Sequence, residues 1–201
     1  MRENEIKACS HKAWKPQTTK QNPKSKASPN LLKESPPTTP REALVGDITY
    51  VHTKEKTLYL SVIMDLFTRQ ILGWRLSDHM ESSLVKGSLE ETRMNQGFTP
   101  ETLFHSDRGS QYSSTMVREY LKDHQLTQSM SAKGYCYDNA HCESFFATLK
   151  KESFPPKHTF ENPTHARREI FSYIESFYNT QRIHTSLNNL SPNQFCNLHL
   201  N

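Results

Sequence analysis

The sequence predicts an α/β domain built on a mixed five-stranded sheet with helices on both faces. Two observations carry this: three β-favouring runs follow one another across short polar connections, and the apolar residues beyond them alternate between strand-like runs and helical spacing. Order begins at Leu44–Val51, where Asp47 interrupts an otherwise apolar and β-branched run. Lys54-Glu55-Lys56 supplies a polar turn, and Thr57–Met64 and Gln70–Leu76 give a second and a third strand of an antiparallel meander. Ser82 or Ser83 opens a helix with Leu84, Val85 and Leu89 on one side, ending near Gly97. A short strand, Thr102–His105, delivers Ser106-Asp107-Arg108-Gly109 at its C-terminal end, and a helix follows from about Ser113 with Val117, Tyr120 and Leu121 in phase. Leu126–Met130 reads as the fifth strand. A Gly134-containing turn then reaches Asp138-Asn139, good N-cap residues, and a helix carrying Glu143, Phe145, Phe146 and Leu149. Asn162-Pro163 caps a long final helix with Ala166, Ile170, Tyr173, Ile174 and Phe177 on one stripe.

The 201 residues suffice for one ordinary domain and a tail, and the apolar fraction of 34% is low for that size. The deficit lies at the N-terminus, where residues 1–43 are rich in Lys, Gln, Ser, Thr and Pro and read as a disordered basic arm ahead of a domain over 44–201. Charge is segregated: nine Lys/Arg against four acids in 1–43, ten against thirteen in 44–143, and six against four in 144–201. Basic ends and an acidic middle describe a protein that meets a polyanion at its ends and holds cations between them. Cys9, Cys136, Cys142 and Cys196 form no CxxC pair, so free thiols are expected in place of a structural zinc site. No apolar run reaches 18 residues, and the chain reads as soluble, intracellular and without membrane partners.

Three carboxylates stand out. Asp47 sits inside an apolar strand, where an unpaired charge is costly; Asp107 ends another strand, where open α/β sheets place their sites; Glu143 is presented by a helix that follows a loop. On that helix Glu143, Ala147 and Lys150 fall near one face. Few Lys or Arg neighbour the three acids in sequence, so together they form a plausible bed for divalent cations with oxygen ligands. Asp65 also ends a strand, but Leu66-Phe67-Thr68-Arg69 reads as a turn and Asp65 as a turn residue.

Five ordered stretches carry a resemblance. They are Val45-Gly-Asp-Ile-Thr-Tyr50; His105-Ser-Asp-Arg-Gly-Ser-Gln-Tyr112; Lys133-Gly with Asp138-Asn-Ala140 leading to Glu143-Ser-Phe-Phe146; Leu149-Lys with Glu152; and Tyr178-Asn with Arg182, His184, Leu187, Ser191-Pro and Phe195. With 35 residues between Asp107 and Glu143, the chain resembles the DDE transposases of bacterial insertion sequences that share the retroviral-integrase catalytic core. The resemblance covers about residues 40–196. It implies a ribonuclease-H-like fold, Asp47, Asp107 and Glu143 as the catalytic and metal-binding triad for Mg²⁺ with Mn²⁺ as a substitute, and strand cleavage and strand transfer at element ends. It further implies DNA as substrate, homo-oligomers assembled on DNA, and a bacterial cytoplasmic, nucleoid-associated location. Lys150 and Lys151 are candidate DNA-backbone contacts, as are Asn139, Arg108, Gln111 and Arg182, each with a structural alternative: a cap or loop tie for Asn139, turn roles for Arg108 and Gln111, and a clasp for Arg182. His105 reads as a packed, hydrogen-bonded histidine. Leu44, Ala132 and Tyr137 depart from the family, which usually carries Trp, Arg and Trp there, and Met1–Ile6 looks like the end of a helix-turn-helix region. Two other functions stay open: a truncated product that binds DNA or a full-length partner as a regulator, and a ribonuclease-H-like nuclease on RNA–DNA hybrids.

Overall fold

The computed structural model describes residues 28–32, 36–96, 98–131 and 139–200. Strands β1 (Ala43–Thr53), β2 (Thr57–Asp65) and β3 (Ile71–Ser77) form the meander, followed by α1 (Ser82–Gln96), β4 (Leu103–Ser106), α2 (Thr115–Asp123) and β5 (Thr127–Met130). Then come α3 (Ala140–Ser153), a two-residue β6 (Thr159–Phe160), α4 (Pro163–Phe171), a π-helical segment (Ser172–Tyr178), a 3₁₀ turn (Thr185–Leu187) and α5 (Pro192–His199). The main sheet runs β3-β2-β1-β4-β5, antiparallel across the meander and parallel from β1 through β4 to β5. β6 is an addition to the expected five, pairing in parallel with His52 and Thr53 at the end of β1.

Alternation along β1 and β2 splits the core into two layers. Val45, Val51, Leu60, Val62 and Met64 face α3, α4 and the π-helical segment, where Phe145, Leu149, Ile170 and Ile174 are buried. Leu44, Ile63 and Phe104 face the other way, onto Val85 and Leu89 of α1 and Val117 and Leu121 of α2. A bulge between Ile63 and Met64 shifts the pairing of β3, which accounts for Ile71 and Trp74, three apart, sharing one face. Gly46 is required by this packing: a Cβ there would lie 2.8 Å from the Phe104 ring.

The final helix differs from the expected one. After Phe171 it widens into π-helical turns, so Tyr178 and not Phe177 enters the core, leaving Phe177 41% exposed. Helix α5, which periodicity does not reveal, is started by a capping box between Ser191 and Gln194.

Both sheet edges are covered. The Asn179 side chain accepts from the Ile71 N–H and donates to the Ile71 carbonyl, each at 2.9 Å, and Arg167 donates to the Leu76 carbonyl at 2.9 Å. On the opposite edge, residues 28–31, assigned by composition to the arm, run along β5, with Met130 N–H donating to the Pro29 carbonyl and Leu31 N–H to Ser129 Oγ. Among the described residues no helix is long and apolar enough to cross a membrane.

Candidate active site

The site is built where β4 leaves β1. β2 covers one edge of β1 from Leu44 to His52, whereas β4 covers the other only from Ala43 to Gly46, paired with Leu103 to Ser106. In parallel register Asp47 and Asp107 are the next positions after Gly46 and Ser106, Asp107 just past the end of β4, on backbones about 4.8 Å apart where the ladder closes. By parity both continue the sheet face that packs on α3.

Helix α3 lies along β1 in the same direction. Cys142 Sγ contacts the Val45 carbonyl at 3.9 Å, and Lys150 Nζ donates to Thr49 Oγ1 at 2.8 Å. Eight helical residues rise about 12 Å and four strand residues about 13 Å, so helix and strand stay in step. The buried Cys142, Phe145, Phe146 and Leu149 hold this seating and leave Glu143 exposed in the first turn. A carboxylate is favourable there, because the unpaired N–H groups of a helix start carry partial positive charge.

The electrostatics join the three acids. Burial pushes the Asp47 carboxyl up to about 7, against the bond from Ile48 N–H at 2.8 Å, and the charges of Asp107 and Glu143 push it further in the same direction. Asp107 is also raised by burial, opposed by Gly109 N–H donating to Oδ1 at 2.8 Å. A Cβ at Gly109 would come within 2.9 Å of that oxygen, so a side chain there would push the Asp107 carboxylate aside. Tyr112 is buried, its hydroxyl has no partner, and burial raises it, as do Asp47 and Asp107. One phenol feeling both aspartates agrees with their register.

Asn139 does not fill the capping alternative. Its side chain makes no capping bond to α3; it donates instead to Asp47, leaving a buried Oδ1 without a partner. Burial lowers Lys150 while Asp47 holds it up, so this ammonium stands within reach of the acidic cluster. Thr49, which tethers it, and Tyr112 are site neighbours to which sequence reasoning gave no role; Thr49 lay in phase with Asp47 and was readable from strand parity.

The remaining candidates lie elsewhere or are engaged. Arg108 Nε donates to the Ser131 carbonyl at 2.8 Å and Gln111 Nε2 to the Met80 carbonyl at 3.1 Å, both tying down the turn after Asp107. Arg182 clamps Glu152 through Nε and Nη2, each at 2.9 Å, and Tyr173 donates to the same carboxylate at 2.7 Å. Glu152 is nine residues along α3 from Glu143, about 13 Å away along the axis. Lys151 is exposed. His105 is fully buried, with Nδ1 on Ser129 Oγ at 2.9 Å and Nε2 on Ser131 Oγ at 3.0 Å. Asp65 closes its turn, accepting from Thr68 Oγ1 at 2.7 Å and Phe67 N–H at 3.2 Å. Cys142 and Cys196 are free buried thiols. Cys9, Cys136, Ala132, Lys133, Gly134, Tyr137 and Asp138 lie outside the described residues.

Among the described residues no group of three His, Cys, Asp or Glu is arranged to hold a metal ion as it stands. A metal reading therefore rests on donor chemistry and charge: carboxylates in mutual repulsion, with the unpaired Asn139 oxygen beside Asp47. That donor set suits a hard cation.

Comparison with known proteins gives the class first. Residues 37–136 and 124–192 match two models of the integrase core domain. The simian T-cell lymphotropic virus intasome, in complex with PP2A regulatory subunit B56 gamma, shares the fold at TM-score 0.67 and 16% identity, over 89% of this chain and 61% of that one. The HTLV-2 integrase catalytic core domain in complex with magnesium, in its trimeric form, does so at TM-score 0.59 and 12% identity, over 79% and 97%. The fold is thus an integrase-type, ribonuclease-H-like core.

The particular family follows from closer relatives. The transposase for insertion sequence element IS904 of Lactococcus lactis is 42% identical over 172 residues, 85% of this chain and 68% of that protein. Transposase InsF for insertion sequence IS3A of Escherichia coli K12 is 42% identical over 161 residues, 80% of this chain. The chain belongs to this family of insertion-sequence transposases with an integrase core; it spans 56% of the length of InsF.

Proposed function

We propose that the chain is the catalytic core of a transposase that cleaves and transfers DNA strands at the ends of an insertion sequence, with Asp47, Asp107 and Glu143 as its catalytic carboxylates. The observation that carries this reading is the parallel register of β1 and β4, which makes two acids 60 positions apart in sequence neighbours on the face that α3 brings Glu143 towards. Asp47, Asp107 and Glu143 would hold Mg²⁺, or Mn²⁺ in its place. When bound, such a cation polarises the phosphodiester and activates the attacking oxygen.

The chain's own residues supply position. Ile48 N–H and the Asn139 amide orient Asp47, and Gly109 N–H orients Asp107. Lys150, tethered by Thr49, presents a cation beside the carboxylates, where the DNA backbone would pass. Arg182 serves α3 by gripping Glu152, so its contribution to DNA is indirect. The substrates are the element ends and a target duplex, handled in the bacterial cytoplasm by more than one copy of the chain.

The test is cleavage and joining of labelled oligonucleotide duplexes carrying the element's ends, with Mg²⁺, beside an Asp107→Asn variant. The parent should cut DNA in a metal-dependent way and the variant should lose several kcal/mol of transition-state stabilisation, at least about a thousandfold in rate. Activity that survives in Asp107→Asn, or is confined to RNA–DNA hybrids, defeats the reading. DNA binding without any cutting by the parent would favour a regulatory protein.

A further inference from the structure

Arg69 closes the turn between β2 and β3 with a left-handed backbone, φ 62°, and its N–H donates to the Asp65 carbonyl at 2.8 Å. Its guanidinium is partly buried, takes no part in any hydrogen bond or ion pair seen among the described residues, and has one nitrogen, Nη1, wholly buried without an acceptor. Arg108, by contrast, is answered by a carbonyl and Arg182 by a carboxylate. A cation withdrawn from water is costly; Asp65 lies near enough to favour the charge, but Nη1 still lacks an acceptor, which points to a further anion. Burial indeed weakens its hold on the proton.

Arg69 also lines a surface cavity of about 310 Å³ whose other walls include Pro36, Pro37, Leu66, Phe67 and His141 of the first turn of α3. His141 is two residues before Glu143, about 3 Å along the helix axis and about 200° around it, so the cavity flanks the start of the helix that carries the candidate catalytic carboxylate. A DNA strand whose phosphodiester reaches the acids and continues past the start of α3 meets this cavity next. A phosphate needs the cation, and a deoxyribose suits the Pro and Phe wall.

We infer that Arg69 binds a backbone phosphate of the DNA strand beside the scissile one, with the adjoining sugar against Pro36, Pro37 and Phe67, making it a positioning residue for the strand that enters the site. The inference rests on the transposase reading only for its choice of DNA as the anion, and its test needs no cutting.

The experiment is equilibrium binding of single-stranded and duplex oligonucleotides, across a salt series in EDTA, by the full chain and by Arg69→Gln and Arg69→Lys. Loss of one phosphate contact should lower the slope of log affinity against log salt by about 0.7 for a single strand or about 0.9 for a duplex in Arg69→Gln. Arg69→Lys should keep the slope. An unchanged slope in Arg69→Gln, or an equal loss in Arg69→Lys, overturns the inference. Should Arg69→Gln fail to fold, exposed Pro36 offers a second route. Pro36→Glu places a carboxylate against Arg69 and should weaken binding several-fold more than Pro36→Gln; equal binding by the two overturns the inference. Stabilisation by inorganic phosphate that depends on Arg69, with no Arg69 effect on DNA, would assign a free-anion site instead. A chain that binds DNA through Arg69 but never cuts it keeps this inference and loses the catalytic reading, whereas cutting with an unaltered slope does the reverse. Absence of DNA binding sinks both.

Discussion

The two halves of the candidate site are held by different physics. Asp47 lies on β1 and Asp107 just past the end of β4, each one residue beyond the parallel ladder, so their separation is set by backbone hydrogen bonds and by Phe104 packed against Gly46. Glu143 rides on a helix seated by four buried side chains and by Lys150 at Thr49, and its own side chain is exposed. The sheet fixes a pair at the cost of crowding two like charges; the helix brings the third with little strain and leaves it free to adjust. Substitutions on the sheet side should therefore disturb stability, and those on the helix side should disturb activity with the fold intact.

The largest effect expected is on pH dependence. Asp47 binds its proton more tightly folded, at about 7, than unfolded, near 3.8, so the folded state holds the extra proton through this window. Stability without divalent cation should then fall as pH rises from about 4 to 7, by up to about 4 kcal/mol. Asp47→Asn should flatten that fall in urea midpoints measured in EDTA; an equally steep fall would show that Asp47 is not the crowded group. Mg²⁺ should raise the thermal midpoint of the parent and not of Asp47→Asn, since only the folded state gathers the carboxylates.

Next in size is Gly46→Ala, which drives a methyl into the Phe104 ring and should cost about 1–3 kcal/mol by chemical denaturation, with activity falling as β1 and β4 part. A neutral result would mean that the ladder does not set the aspartate pair. Arg182→Ala frees the far end of α3 from a part-buried clamp and should cost about 1 kcal/mol. Its effect on strand transfer should be milder than that of Lys150→Ala, and the opposite ranking in turnover would reassign Arg182 to DNA. The smallest stability change, within about 0.5 kcal/mol, belongs to Glu143→Gln, which loses only a helix-start interaction yet should be as inactive as Asp107→Asn. Retained cleavage would remove the helix from the site altogether.

Much of the fold was legible because periodicity and parity are local. Asp47 drew attention since a carboxylate in an apolar strand needs a reason, and the three meander strands followed from their short connections. Which strands pair is not local: that β4 runs beside β1 for four residues and then stops, leaving Asp47 next to Asp107, is a long-range register that no spacing encodes. The three acids were grouped from their residue types and settings, and their role as a triad came from resemblance to a family; register sets Asp107 beside Asp47, and charge and helix seating bring Glu143 towards them. Phe177 was misplaced because a π-helical segment shifts the buried position to Tyr178, a change in turn width invisible to a 3.6-residue template. Capping of α3 was one alternative for Asn139, but its amide is drawn to Asp47, where an unanswered carboxylate oxygen is dearer than an uncapped helix end. Arg69 went unremarked because a turn arginine looks solvated until its surroundings are known.

The covered borders of the sheet limit how copies of this chain can meet. With Asn179 and Arg167 occupying backbone groups of Ile71 and Leu76 on β3, and residues 28–31 lying against β5, both rims are partly covered among the described residues, which disfavours extension of the sheet by a second molecule. Such coverage favours joining of copies through helical or loop surfaces or through the nucleic acid itself. That leaves association reversible and governed by side-chain chemistry, which suits a protein whose assembly should await its substrate.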